Sequence, residues 1–223
     1  MSGIFITGTD TNIGKTTVSA ILCSALRQHK ANGGYFKPVQ TGPDDDAATV
    51  QRFSGIGSEN ILGSVYSFPE SISPHRAAEE YQQKIQLPKI YSAWSNRPKK
   101  SWIVEGAGGL LVPLASNTTM RDLARALDLP LLVVASTRLG TINHTLLTIE
   151  AARATQLRIV GIVLNGSSDS GLAQTLETFS GTSVLAEVPN IEDLNADRIA
   201  ATALEIFPIN ILNRIFDGCL NVE

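Results

Sequence analysis

The residue types best suited to chemistry cluster first at Thr7-Gly8-Thr9-Asp10-Thr11-Asn12-Ile13-Gly14-Lys15-Thr16-Thr17. An apolar run, Ile4-Phe5-Ile6, leads into this stretch and an amphipathic run follows it. A glycine-rich loop between strand and helix aims several backbone N–H groups and the positive end of a helix dipole at one point. That makes an anion site for a polyphosphate. At such a loop Lys15 neutralises the β- and γ-phosphates and the Thr16 hydroxyl ligates Mg²⁺. The spacing departs from the usual GxxxxGK[ST], because five residues rather than four separate Gly8 from Gly14. A chance Gly-Lys-Thr turn is the alternative, and the strand before and helix after argue against it.

Two further features fall where a nucleotide-binding sheet uses them. Glu105, in Val104-Glu105-Gly106-Ala107-Gly108-Gly109, closes a buried apolar run. An acid at an exposed strand end is a candidate metal ligand or water-orienting carboxylate, and the glycines after it suggest close backbone approach. Lys37, in Lys37-Pro38-Val39-Gln40-Thr41-Gly42, ends a second strand and points toward the same crevice. On its own a lysine there reads as a solvated charge.

The elements that position these groups alternate along the chain. Near-continuous apolar runs predict strands at Ile4–Thr7, Gly34–Pro38, Trp102–Glu105, Leu131–Ala135, Ile159–Leu164 and Val184–Val188, as in a parallel sheet covered on both faces. Val18, Ile21, Leu22, Ala25 and Leu26 carry helical spacing, with Gly33-Gly34 as the stop. Ile142, Leu146 and Ile149 repeat that spacing. The alternation predicts an α/β fold: a doubly wound, mostly parallel sheet with helices on both faces. Residues 42–100 are less regular. Gly42-Pro43-Asp44-Asp45-Asp46 reads as a turn entering a helix, and Pro74–Gln83 and Pro88–Arg97 read as two more helices. With no linker-like composition, residues 1–223 are expected to form one domain, 42–100 being an insertion or flank.

Composition sets the limits. The chain has 223 residues, of which 43% are hydrophobic and 17% charged, so it can build a core. Its 18 basic and 21 acidic residues give a net charge of -3, without the basic excess of a general nucleic-acid binder. Cys23 and Cys219 form no metal-ligand or disulfide pattern, which fits a reducing cytoplasm. Cys23 reads as core packing. The N-terminus shows no signal-peptide pattern, and no apolar run is long enough for a membrane-spanning helix. The apolar residues Phe207, Ile209, Ile211 and Leu212 are expected to cover the last sheet edge or a partner subunit.

Taken together, GTDTxxGKT after the first strand, KPVxxG after the second, Ser73-Pro74-His75, Glu105-Gly-Ala-Gly-Gly and Leu139-Gly140-Thr141-Ile142-Asn143-His144 occur in order. Over about residues 3–190 the chain resembles the dethiobiotin synthetase family, ATP-dependent carboxylases with a P-loop NTPase fold. The resemblance implies ATP, CO₂ and 7,8-diaminopelargonate as substrates, Mg²⁺ as cofactor, and ureido-ring closure through a carbamate and a carbamic-phosphoric anhydride. Such a reaction gathers negative charge and needs cations and N–H donors rather than a nucleophile.

Carried over residue by residue, the resemblance makes Lys15 and Lys37 catalytic. Lys15 stabilises the phosphoryl group in flight, and Lys37 holds carbamate and γ-phosphate together. It implies ATP contacts from Thr11, Asn12, Ile13, Gly14, Lys15, Thr16 and Thr17 in the loop, and from Asp46, Glu105, Gly106, Ala107 and Gly108. Asn165 and Gly166, with Pro189 and Asn190, would receive the base. The metal falls to Thr16, Glu105 and an acid of the Asp44–Asp46 run. Asp46 is the best match, because Ala47 begins the next helix; Asp45 is the alternative and Asp44 a turn residue. Thr41 would contact the substrate through its small hydroxyl side chain. Gly140, Thr141, Ile142 and Asn143 would receive its carboxylate from the second subunit of a homodimer. The sequence departs from the family pattern at Asn12, where Glu is frequent, at Arg138, where Lys is frequent, and at Gly166, where an acid is common. The rival class is a P-loop switch ATPase of the partition or positioning type. That class carries a second lysine early in the loop, where this chain has Asp10.

Overall fold

A computed structural model describes residues 3–218 and 220; Cys219 lies outside the described residues. All six expected strands are present. They are β1 (Gly3–Gly8), β2 (Gly33–Phe36), β6 (Ser101–Gly109), β9 (Leu131–Ser136), β10 (Ile159–Asn165) and β11 (Val184–Val188). With the two-residue edge strand β4 (Ile61–Leu62) they make one seven-stranded sheet in the order β11-β10-β9-β1-β6-β2-β4. Every neighbouring pair in it is parallel.

The connections carry helices α1 (Lys15–Gln28), α2 (Asp46–Ser54), α3 (Pro74–Glu80), α4 (Leu87–Ser95), α5 (Met120–Ala126), α6 (Thr141–Arg153), α7 (Leu172–Ser180), α8 (Ala196–Ile206) and α9 (Ile209–Ile215). Side chains alternate across β1. Ile4 and Ile6 join a core with Val18, Ile21 and Leu22 of α1, while Phe5 faces Phe36, Trp94 and Trp102 on the other side. Burying one such aromatic stabilises the fold by roughly 1.5–3 kcal/mol. A third cluster packs Val133, Ile162 and Leu164 against Ile149 of α6 and Leu176 of α7.

Several expectations need correction. Strand Gly34–Pro38 is shorter than expected, and a further strand follows it. β2 stops at Phe36, and β3 (Val39–Thr41) pairs with β5 (Tyr66–Phe68) in a separate two-stranded sheet. Pro38 between them has no N–H for a ladder. Gly33 and Gly34 do not stop α1. They open β2, where a Cβ would come within 2.8 Å of Leu26 and 2.9 Å of Trp102. The helix ends at Gln28, and Lys30 turns the chain at φ 55°. A short antiparallel pair, β7 (Pro113–Ala115) and β8 (Thr118–Thr119), follows β6. Phe207 and Leu212 are fully buried in the core that holds α1 residues and Leu185, Ala186 and Val188 of β11; Ile209 stays exposed.

Candidate active site

Because β6 lies between β1 and β2, the carboxyl ends of these three strands bring the phosphate loop, Glu105 and Lys37 to one place. The loop enters α1 through Gly14 at φ 92°, with Asn12 also left-handed at φ 54°. These turns aim successive N–H groups inward. Only glycine fits position 14, since a Cβ there would lie 2.1 Å from Asn165 Nδ2. That amide donates to the Ile13 carbonyl at 2.9 Å, tying the end of β10 to the loop.

Glu105 is the electrostatic centre. It was expected at an exposed strand end, yet β6 continues to Gly109 and the residue is 1% exposed. Its Oε1 accepts from Thr16 Oγ1 at 3.0 Å and Lys37 Nζ at 3.2 Å. Its Oε2 accepts from Ser19 Oγ at 2.8 Å and the Tyr35 hydroxyl at 2.9 Å. Burial alone would raise the Glu105 carboxyl. Lys37, the Ser19 hydroxyl, Lys15 and the Tyr35 hydroxyl together hold it below the ordinary carboxylate range. Burial, joined by the Glu105 charge, pushes the Tyr35 phenol well above its usual value, so it stays a donor.

Lys15 is buried and donates to the Asp10 carbonyl at 3.1 Å. Burial brings its ammonium down to about 8; Glu105 and Asp10 oppose that shift and Lys37 adds to it. Lys37 bridges two acids, pairing with Asp46 as well as Glu105. The Asp44–Asp46 run divides its labour. Asp45 caps α2, its side chain accepting from Ala48 N at 2.9 Å, and α2 begins at Asp46 rather than Ala47. With Asp45 committed to the cap, Asp46 is the acid that turns to Lys37.

A cleft of 640 Å³ opens over these groups. Thr11, Asn12, Gly14, Lys15, Thr16 and Lys37 line it, and so do Thr41, Asp46, Glu105, Ala107 and Gly108. Ser73 and Pro74 of the third motif line it as well, but His75 does not. A smaller cleft of 150 Å³ holds Asn12, Ile13, Asn165, Gly166 and Asn190, with Arg138 at its wall. Thr17, Gly106 and Pro189 line neither cleft. Gly140, Thr141, Ile142 and Asn143 also line neither. They form the start of α6, where Ile142 is exposed beside a fully exposed Leu139.

Sequence reasoning missed Tyr35, Ser19 and Gln40. The signals were present. Ser19 follows Thr16 by one helical turn, and Tyr35 precedes Lys37 by the two-residue period of a strand. Gln40 donates to the carbonyls of Thr41 and Asp44 at 3.2 and 2.9 Å, pinning the turn that delivers Asp46.

Among the described residues no three His, Cys, Asp or Glu converge as a metal cage. The donors that do converge are two carboxylates and a hydroxyl, all oxygen. That set fits Mg²⁺, which takes few protein ligands and completes its shell with phosphates and water.

The sheet order, the glycine loop entering a helix and its Lys-Thr pair define a P-loop nucleotide-binding protein. Solved structures agree on the fold: MinD in the MinC:MinD complex of Aquifex aeolicus (TM-score 0.58, 12% identity, 92% of this chain and 95% of that one) and a ParA family ATPase of Chlorobium tepidum (0.57, 12%, 97% and 98%). The AAA domain family profile matches residues 2–198. Curated relatives are more specific. The ATP-dependent dethiobiotin synthetase BioD of Paramagnetospirillum magneticum is 40% identical over 202 residues, covering 90% of this chain and 94% of its own. The enzymes of the same name from Neorickettsia sennetsu (36%, 90% and 92%) and Bacillus cereus (34%, 100% and 98%) extend the match. The chain belongs to the ATP-dependent dethiobiotin synthetase family.

Proposed function

We propose that the chain closes the ureido ring of 7,8-diaminopelargonate, using CO₂ and ATP to form dethiobiotin, ADP and phosphate. The observation that carries this reading is two buried lysines converging on one buried carboxylate at the mouth of a cleft too large for a triphosphate tail alone. One substrate amine takes up CO₂ as a carbamate. The γ-phosphoryl group passes to a carbamate oxygen, and the second amine then displaces phosphate from the anhydride. No protein nucleophile is needed for this sequence of steps.

Lys15 sits where it neutralises the charge of the phosphoryl group in flight, and Lys37 holds the carbamate against it. The Thr41 hydroxyl, which lines the same cleft, is assigned a contact with the substrate. Thr16, Asp46 and Glu105 would hold Mg²⁺, which spreads the triphosphate charge. The smaller cleft, with Asn165, Gly166 and Asn190, takes the base, and Pro189 flanks it.

The segment Gly140 to Asn143 is assigned to a second copy of the chain in a homodimer. There the Ile142 and Asn143 N–H groups, in the first turn of α6, would donate to the substrate carboxylate, while the Thr141 N–H is taken by the Arg138 carbonyl at 3.1 Å. Its exposed Leu139 and Ile142, and its absence from the clefts of its own subunit, support that assignment. The whole chain is read as one domain, since β4 from the flanking 42–100 region extends the main sheet. A cytoplasmic location suits these substrates; no helix among the described residues is long and apolar enough to cross a membrane.

Phosphate release from ATP, with and without diaminopelargonate and bicarbonate, tests the reading. Release that requires both compounds supports it. Steady hydrolysis indifferent to either would mean a nucleotide switch instead.

A further inference from the structure

We infer that Tyr35 and Ser19 are positioning residues that lock the Glu105 carboxylate in one orientation, so that it offers a divalent cation a single oxygen. The inference rests on the proposed role of Glu105 as a metal ligand.

The donors around this carboxylate are sorted by side. Oε1 meets only groups that line the cleft, Thr16 and Lys37. Oε2 meets only Ser19 and Tyr35, which line no cleft and are 0% exposed. The two clamping hydroxyls come from different elements. Ser19 stands on α1 one turn beyond Thr16, and Tyr35 stands on β2, whose register places Phe36 opposite Val104. A rotation of the carboxylate would break both Oε2 bonds at once and strand two hydroxyls inside the core, where an unpaired polar group is costly. The oxygen facing the cleft is therefore fixed, and the other is unavailable to a cation.

One oxygen per carboxylate is the demand of Mg²⁺, which insists on octahedral geometry and keeps several waters. Ca²⁺ accepts bidentate carboxylates and a looser, larger shell. The clamp is thus a device for choosing the smaller ion as well as for orienting a ligand. Removing either hydroxyl leaves Oε2 held by one bond instead of two, which loosens the carboxylate, weakens the ordered site and relaxes the discrimination.

The experiment is Mn²⁺ binding to the full chain with ADP, followed by electron paramagnetic resonance, then displacement of Mn²⁺ by Mg²⁺ and by Ca²⁺. It needs no turnover. Tyr35→Phe and Ser19→Ala should each weaken Mn²⁺ binding about 10-fold, as loss of a partner behind a metal ligand commonly does. Each should also shift the Ca²⁺-to-Mg²⁺ preference several-fold toward Ca²⁺. A purely structural hydroxyl would lower the melting temperature and move neither quantity.

Asp46→Asn serves as the reference, because that acid meets Lys37 from α2, while the Ser19 and Tyr35 hydroxyls bond to Glu105 Oε2. If Asp46→Asn binds Mn²⁺ poorly while both hydroxyl variants match the wild type in affinity and preference, the positioning role is overturned and the metal site stands. If the wild type takes up no Mn²⁺ with ADP, or Asp46→Asn binds as well as wild type, the metal site falls and the positioning role falls with it.

Discussion

Replacing Glu105 by Gln removes one charge and almost no volume, yet the structure makes it a severe change. Glu105 is 1% exposed, and the two lysines beside it are 7% (Lys15) and 6% (Lys37) exposed. All four recorded partners of its oxygens are donors. A Gln amide nitrogen must therefore face either the Lys37 ammonium, which cannot accept, or the Ser19 and Tyr35 hydroxyls, which would have to turn from donors into acceptors. Removing one partner from a buried ion pair costs about 3–5 kcal/mol. Two features soften that figure. Asp46 still pairs with Lys37, and Lys15, already near 8, sheds its proton cheaply at neutral to mildly alkaline pH. The expected loss is about 2–4 kcal/mol, toward the lower half of that range. For a chain of this size that lowers the melting temperature by roughly 5–15 °C. Thermal and urea unfolding of Glu105→Gln against wild type, without nucleotide, measures it. A melting temperature within about 2 °C of wild type would show that this carboxylate does not neutralise the two lysines, and the electrostatic account of the site would fail.

The remaining predictions follow from the same geometry. Lys37→Gln should lower kcat strongly and leave the KM for ATP nearly unchanged, because its proposed partner is the carbamate; collapse of ATP affinity with turnover intact would contradict the assignment. Asp46→Asn should raise the Mg²⁺ midpoint of activity, whereas Asp45→Asn, which keeps a capping side chain, should leave both that midpoint and α2 stability in place. At the start of α5, Asp122 accepts from the Thr119 amide and hydroxyl at 2.8 Å each in a capping box. Its burial would raise the carboxyl, but those bonds hold it below the ordinary range. Its stabilisation is therefore full above its unfolded value of about 3.9 and is lost as pH falls through the lower folded value. Asp122→Ala should cost about 0.5–1 kcal/mol at pH 7 for this half-exposed group, and the difference from wild type in urea unfolding should shrink toward pH 3.

Strands with dense apolar runs were legible because burial on both faces leaves no other composition possible; β1, β9 and β10 needed nothing more. The phosphate loop was legible for the opposite reason, since its chemistry demands glycine, lysine and threonine at fixed spacing. β4 was not. Ile61-Leu62 is too short to show a period, and it is a strand only because β2 offers it an open edge. Glu105 was found but misplaced. Its glycine tail reads as a loop, although pairing of Gly109 with Gly8 keeps that stretch in the sheet and buries the acid. The choice between Asp45 and Asp46 also lay beyond local sequence, because it depends on which of the two caps α2 and which turns to Lys37.

The likeness to MinD and ParA at 12% identity is one of fold alone. A parallel sheet with a glycine loop after its first strand fixes where a triphosphate lies, and any chain with that topology inherits the position. What the phosphoryl group is handed to depends on what else lines the cleft. Here Thr41, Gly42, Asp44, Asp46 and residues 71–74 line the cleft together with the loop. These residues all come from the irregular 42–100 region or its threshold, the part of the chain with the weakest secondary-structure signal. Its shape is set by small anchors such as Gln40 holding the Asp44 carbonyl and Ser64 donating to the Lys37 carbonyl at 2.7 Å. Side-chain bonds of this kind leave no periodic trace. A motif such as KPVxxG therefore carries information that hydrophobic patterning cannot, because its residues are chosen for one another's positions and not for a core.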